Sequence, residues 1–225
     1  MERAGPAAAR SERVRAQERP RLIIFTRHPE AGGVKTRLVP YLGPDGARHI
    51  HDWLTRRIAR AARRLRRLEH VAVEIHHAGG TREEMRRWLG PDLAYRRQIR
   101  GDLGRRMAAA FEEAFAAGAP SAAIVGSDVP GVTAGLLQDA FHRLERRRLV
   151  VGPARDGGYY FIGLRRPAPE LFSGIAWGTA AALDQTHRAA KRAGISMEAL
   201  EMLPDVDRPE DIAHALRLGW RPPGR

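Results

Sequence analysis

Ser121-Ala122-Ala123-Ile124-Val125-Gly126-Ser127-Asp128-Val129-Pro130 is the stretch on which the fold reading turns. Small and apolar residues run without alternation up to Gly126, the pattern of a strand buried on both faces of a parallel sheet. The run then stops on a carboxylate. In open parallel α/β sheets the ligand crevice lies outside the carboxyl ends of the strands, so Asp128 falls where ligands bind.

Working outward, Leu22-Ile23-Ile24-Phe25, Val71 to Ile75, Tyr95 to Gln98, Leu149 to Pro153 and a segment within Ile195 to Leu203 read as further strands. Between them lie amphipathic helices. In the longest, predicted over Ala47 to Leu68, Ile50, Trp53, Leu54, Ile58, Ala61, Leu65 and Leu68 recur at helical spacing and arginines fill the other face. Thr81 with Glu84 makes a capping box, and Thr133 begins a helix with Leu136, Leu137, Ala140, Phe141 and Leu144 as its buried stripe. Strands alternating with helices predict a three-layer α/β/α sandwich around a mostly parallel sheet.

The 225 residues suit one domain, placed at 21–219, after a disordered basic tail over 1–20 and before a loose C-terminal tail over 220–225. No apolar run approaches the ~20 residues that span a bilayer and no signal segment opens the chain, so a cytoplasmic protein without a membrane partner is expected. The absence of cysteine removes disulfides, thiolate zinc sites and a catalytic thiol. Oxygen-ligand metals and carboxylate chemistry remain.

A net charge of +13 raises nucleic acid as a partner. Of the 39 basic residues only Lys35 and Lys191 are lysine. With alanine, glycine and proline abundant, the arginine excess reads as compositional bias spread over solvated faces, so nucleic acid is not the expected partner.

Three loops carry chemistry. Arg27-His28-Pro29-Glu30-Ala31-Gly32-Gly33-Val34-Lys35-Thr36-Arg37-Leu38 follows the first strand, flexible at its glycines and cationic at its end. It is not a P-loop, since Val34 stands where glycine must precede the lysine. It reads either as an anion-binding loop in which Lys35 and Arg37 converge on a phosphate, or as a surface turn. Gly101-Asp102-Leu103-Gly104 lets backbone approach a ligand, with Asp102 also a helix N-cap. Asp156-Gly157-Gly158 ends a strand on a carboxylate that could hold a sugar hydroxyl, accept a proton or reach a metal, or form a tight turn. Near the end, Asp205-Val206-Asp207 doubles a charge, while Asp207 with Glu210 fits a helix cap. His76-His77 alternates across a strand and makes a poor chelating pair.

Thr26-Arg27-His28-Pro29 with Gly33-Val34-Lys35-Thr36-Arg37-Leu38, Gly101-Asp102-Leu103-Gly104 with Arg106-Met107, Gly126-Ser127-Asp128-Val129-Pro130, Asp156-Gly157-Gly158-Tyr159 and Asp205-Val206-Asp207 with Pro209-Glu210-Asp211 occur in one order. The ordered set resembles a bacterial family of GT-A-fold glycosyltransferases, some linked to arsenosugar biosynthesis, over about residues 21 to 215. More distantly it is similar to nucleotidyltransferases of the molybdenum-cofactor and phospholactate guanylyltransferase type. The sequence departs from the family pattern at Gly178 and Arg208, where serine and threonine are usual.

The resemblance implies a nucleotide-diphospho-sugar transferase fold working with Mg²⁺ or Mn²⁺ on a nucleotide sugar and a small-molecule acceptor, or alternatively on an NTP. It implies phosphate contacts from Lys35 and Arg37, a metal held by Asp128 with Asp207 as second carboxylate, and Asp156 facing the sugar or acceptor as candidate base. Matched motif positions put Thr26, Arg27, Gly33, Thr36, Gly101, Asp102, Leu103, Arg106, Ser127, Gly157 and Gly158 on the nucleotide side.

Overall fold

The computed structural model describes residues 18–223. Its seven strands are β1 (Arg21–Arg27), β2 (Ala72–Ala78), β3 (Ala94–Arg97), β4 (Ala122–Gly126), β5 (Leu149–Pro153), β6 (Tyr159–Leu164) and β7 (Met197–Ala199). They form one sheet in the order β3-β2-β1-β4-β6-β5-β7. All pairings are parallel except those of β6, which runs antiparallel to both β4 and β5. The six helices are α1 (Val39–Glu69), α2 (Arg82–Leu89), α3 (Leu103–Ala116), α4 (Ala134–Leu144), α5 (Ala182–Arg192) and α6 (Ile212–Arg217). The expected three-layer sandwich is found.

Alternation along each strand feeds two cores, because successive side chains leave opposite faces of a sheet. Leu22 and Ile24 pack with Ile58, Ala62 and Leu65 of α1 and with Leu137 and Phe141 of α4. Ile23 and Phe25 point the other way, onto Met107 and Phe111 of α3 and Ala189 and Ala190 of α5. Both faces of β1 and β4 are therefore dry. Their runs read as continuous apolar sequence for that reason.

A third, smaller cluster gathers Leu38, Ala47, Ile50, Leu54, Val206, Ala215 and Trp220 beside the end of the sheet that carries the loops. The expectation of a loose tail over 220–225 fails at Trp220, while 221–223 are exposed and 224–225 lie outside the described residues. Trp220 is 1% exposed and its indole N–H donates to His49 Nδ1 at 3.2 Å. An isolated aromatic among arginine, proline and glycine carries no periodic signal, so only the tertiary arrangement reveals it. The expected N-terminal tail lies outside the described residues for 1–17.

Helix α1 starts eight residues before the predicted boundary. It is bent at Gly43, whose φ of 68° and ψ of 170° interrupt helical geometry before Pro44. The predicted capping box at Thr81 is present: Thr81 Oγ1 accepts from the Glu84 backbone N–H, and Glu84 accepts in return from Thr81. Among the α1 arginines, Arg56 pairs with Asp52, Arg57 donates to the Pro130 carbonyl, and Arg63 and Arg66 share Asp92. These four serve intramolecular contacts. No helix among the described residues is long and apolar enough to cross a membrane.

The Arg63 guanidinium bonded to Asp92 holds that carboxyl at about 2, against 3.8 for an ordinary aspartate. A depressed folded value adds stability that is complete above the unfolded value and lost as pH falls through the folded one. Asp92 is 40% exposed at its side chain, so solvent screens the pair to about 1 kcal/mol or less. Asp92→Asn is expected to lower the neutral-pH melting temperature by a few degrees. It should also flatten the part of the acid stability curve that falls between about pH 4 and pH 2. An unchanged acid limb in a pH series of thermal melts would count against the pair.

Candidate functional site

The carboxyl ends of β1 and β4 open into a cleft of about 660 Å³, within the range of small-ligand pockets. At its floor three hydroxyls form a chain: Ser127 Oγ donates to Thr26 Oγ1 at 3.3 Å, and Thr26 Oγ1 lies 3.2 Å from Thr55 Oγ1 on α1. This chain ties the two strand ends to the helix behind them. His51 closes the same corner, its Nε2–H donating to the Arg27 carbonyl at 2.9 Å. Burial lowers the His51 pKa, which keeps the ring neutral, with the carbonyl bond opposing in part.

The loop after β1 turns its lysine onto two carboxylates in the cleft wall. Lys35 has left-handed backbone geometry (φ 48°, ψ 44°), uncommon for a residue with a side chain. The turn directs the side chain inward, where it is only 3% exposed. Its Nζ lies 2.6 Å from Asp128 Oδ1 and 3.6 Å from Asp207 Oδ1. Arg37 comes from the one-turn 3₁₀ helix Thr36–Leu38 and reaches the other oxygen of Asp207 at 2.5 Å. Two cations and two carboxylates thus interlock.

Asp207 arrives from 79 residues further along the chain through a backbone contact. The Val206 N–H donates to the Asp128 carbonyl at 3.0 Å, and the Val206 side chain is fully buried in the third core cluster. The cap expected from Asp207 with Glu210 is made differently. Asp211 Oδ2 accepts from the backbone N–H of Asp207 and of Arg208, leaving the Asp207 carboxylate to Lys35 and Arg37. At Asp128, desolvation favours the neutral form but is outweighed by the Lys35 ammonium, and the pKa falls below the ordinary aspartate value. Asp205 moves the other way, raised first by burial and next by the charge of Asp156.

Asp156 also lines the cleft. One of its oxygens accepts the Gly158 N–H at 2.8 Å, the tight-turn geometry foreseen as the alternative for this segment. Gly157 has a φ of +86°, and a Cβ there would lie 2.3 Å from the Ala180 carbonyl oxygen. Its role is packing. Gly104 is similar: a Cβ would fall 2.4 Å from the Trp177 indole nitrogen, so this glycine seats the 173–181 loop against α3.

Thr26, Arg27, Gly33, Lys35, Thr36, Arg37, Leu103, Arg106, Ser127, Asp128, Asp156, Gly158 and Asp207 all line the cleft. Gly101, Asp102 and Gly157 do not line it. Asp102 caps α3, accepting the Arg105 N–H at 2.8 Å, and the Gly101 carbonyl accepts from Arg106 Nε at 2.8 Å. Residues not named as site candidates from sequence also face the cleft, notably His51, Gln98, Tyr159 and Trp177. His51 had a signal: it is a polar residue beside Ile50 on the buried stripe of an amphipathic helix. Gln98 and Tyr159 were marked only by their places at a predicted strand end and in the Asp156-Gly157-Gly158-Tyr159 motif.

Asp128 and Asp207 converge on one cation position with hard oxygen donors, the set that Mg²⁺ uses when substrate phosphates complete its shell. Among the described residues no group of three or more His, Asp or Glu side chains forms a metal cage. Two carboxylates do not enclose a cation by themselves, so a divalent cation held here would need further ligands, such as a bound phosphate. His76 and His77 do not meet: His76 stacks on Phe25, and His77 Nδ1–H donates to the Gly79 carbonyl.

The fold and parts of the sequence recur in known proteins. The chain is 33% identical to a candidate nucleotide-diphospho-sugar transferase from Desulfovibrio desulfuricans G20, over 85% of this chain and 83% of the other, with a TM-score of 0.79. At 12% identity it superposes on glucosyl-3-phosphoglycerate synthase from Mycobacterium tuberculosis in complex with Mn²⁺, UDP and glucosyl-3-phosphoglycerate, with a TM-score of 0.55 and coverage of 96% and 82%. At 11% identity it superposes on CMP:2-keto-3-deoxy-manno-octonic acid synthetase complexed with CTP, with a TM-score of 0.56 and coverage of 89% and 98%. These two likenesses concern the fold alone. No curated protein matches the chain. Residues 59–179 match the family described as "Uncharacterized protein conserved in bacteria (DUF2064)", a span that holds Asp128 and Asp156. The chain belongs to the DUF2064 family.

Proposed function

We propose that the protein is a metal-dependent glycosyltransferase that takes a nucleotide-diphospho-sugar donor and a small-molecule acceptor. The carrying observation is the interlocked set of Lys35, Arg37, Asp128 and Asp207 at the carboxyl ends of the parallel strands β1 and β4, in a cleft of small-ligand size. Both charges that a metal diphosphate presents have complementary partners there. The kinship with the Desulfovibrio protein supports the donor class, and the shared fold supports transferase chemistry.

In this reading Asp128 and Asp207 hold Mg²⁺ or Mn²⁺, and Lys35 and Arg37 supply positive charge to the phosphates. A bound divalent cation would neutralise charge developing on the leaving diphosphate. Arg27, Thr36, Leu103, Arg106 and Gly158 line the remaining wall for the nucleotide and sugar. Asp156 keeps one oxygen beyond its turn bond to accept a proton from the acceptor hydroxyl that attacks the anomeric carbon.

The test is a thermal-shift series with Mn²⁺, a panel of nucleotide sugars and a panel of NTPs, followed by product analysis. Stabilisation by a nucleotide sugar and release of a nucleoside diphosphate are the expected results. Stabilisation by NTPs alone, with pyrophosphate released, would replace this reading with nucleotidyl transfer. Salt-sensitive binding to DNA or RNA that survives loss of Asp128, with no nucleotide bound, would remove the enzyme reading altogether.

A further inference from the structure

Lys35 was expected to face phosphates, yet its ammonium is buried between Asp128 and Asp207, on the position where those carboxylates would hold a cation. We infer that Lys35 is an internal counter-ion of the ligand-free site, so that the divalent cation and the diphosphate must enter together and exchange partners with it. This rests on the donor reading proposed above.

The reasoning is one of charge balance. Lys35 and Arg37 balance Asp128 and Asp207, so the four side chains are neutral as a set. A divalent cation arriving alone would place its charge beside an ammonium that is 3% exposed and poorly screened by water. A diphosphate arriving alone would draw Lys35 and Arg37 away and leave two carboxylates facing each other unpaired. Each event alone carries an uncompensated charge in a partly desolvated cleft, which is costly. Together the ligands cancel, and both protein pairs are replaced by new ones: carboxylates to cation, ammonium and guanidinium to phosphate.

The backbone fits the exchange. Lys35 ends a loop with glycines at 32 and 33 and sits in left-handed geometry, so a rotation about this residue or its stem re-aims the side chain without disturbing β1. Val34 and Leu38, buried on either side at 4% and 0% exposed, anchor the segment while Lys35 turns.

The two binding events should therefore be strongly coupled, and coupling is reciprocal. Mn²⁺ binding, read from the EPR signal of the free ion, should strengthen on the order of 10–100-fold when UDP, GDP, CDP or ADP is added to the wild-type protein. Lys35→Met removes the counter-ion and should raise Mn²⁺ affinity without nucleotide by a similar factor, while shrinking the coupling to a few-fold. Lys35→Asn, whose side chain tolerates left-handed backbone, repeats the test if the Met variant does not fold. Asp128→Asn should abolish the gain in either background.

Two results would overturn the inference: wild-type protein that binds a diphosphate and yet holds Mn²⁺ no more tightly with it than alone, or Lys35 variants with unchanged nucleotide-free Mn²⁺ affinity. The outcome is separable from the donor reading. If no diphosphate binds but the Lys35 variants gain Mn²⁺ affinity, the donor reading fails and the counter-ion role stands. If diphosphates bind with Mn²⁺ and the variants gain nothing, the reverse holds.

Discussion

Asp128→Ala is expected to lower transferase turnover on the order of 10³-fold while leaving the protein folded. The carboxylate is one of only two that meet at the cation position, so its loss removes half of the protein's oxygen donors there. Two observations limit the structural cost. The Asp128 side chain is 53% exposed, so water reaches the carboxylate although its partner ammonium is only 3% exposed. Lys35 also keeps Asp207 at 3.6 Å, so the buried ammonium is not orphaned. A stability loss of about 1–3 kcal/mol follows. Turnover assays on the donor found by thermal shift, together with melting curves, check both parts. Full activity in the variant would place the metal site elsewhere.

Trp220→Ala should destabilise the protein by about 3–5 kcal/mol, the range for truncating a large buried aromatic. The indole is 1% exposed, fills the cluster formed by Leu38, Ile50, Leu54, Val206 and Ala215, and bonds His49. The change should also reach the site. Leu38 ends the turn that carries Arg37, and Val206 sits between Asp205 and Asp207, so the cavity loosens both sides of the charge cluster. Trp220→Phe retains most of the packing and should recover most of the stability. Denaturant melts of the two variants, with donor affinity measured alongside, provide the check. A loss under ~1 kcal/mol for Trp220→Ala would mean that the tail does not pack as described.

The fold was legible wherever a strand was dry on both faces or a helix wet on one. β1, β4 and β5 announce themselves as unbroken apolar runs, and α1 by a stripe of Ile50, Leu54, Ile58 and Leu65. β6 was harder to see. Tyr159 to Leu164 is apolar like its neighbours, and nothing in its composition says that it turns back antiparallel between β4 and β5. The same limit applied to glycines. Gly104 and Gly157 looked like close-approach positions for a ligand, and close approach is what they provide, but to Trp177 and Ala180. A sequence shows that a side chain must be missing; it does not show what occupies the space.

By itself the sequence determined the strand ends on which Thr26, Ser127 and Asp128 stand and the order in which the charged loops follow them. These depend on local pattern, and burial on two faces writes itself into composition. Tertiary structure alone decided which charges meet. The Val206 N–H to Asp128 carbonyl bond brings Asp207 across 79 residues, and the left-handed backbone at Lys35 turns the lysine toward both aspartates. Such partners are set by strand order and by one backbone angle, neither of which residue types encode locally. Asp128 was visible as a candidate ligand position from its own ten residues; that its resident partner is Lys35 required the folded chain.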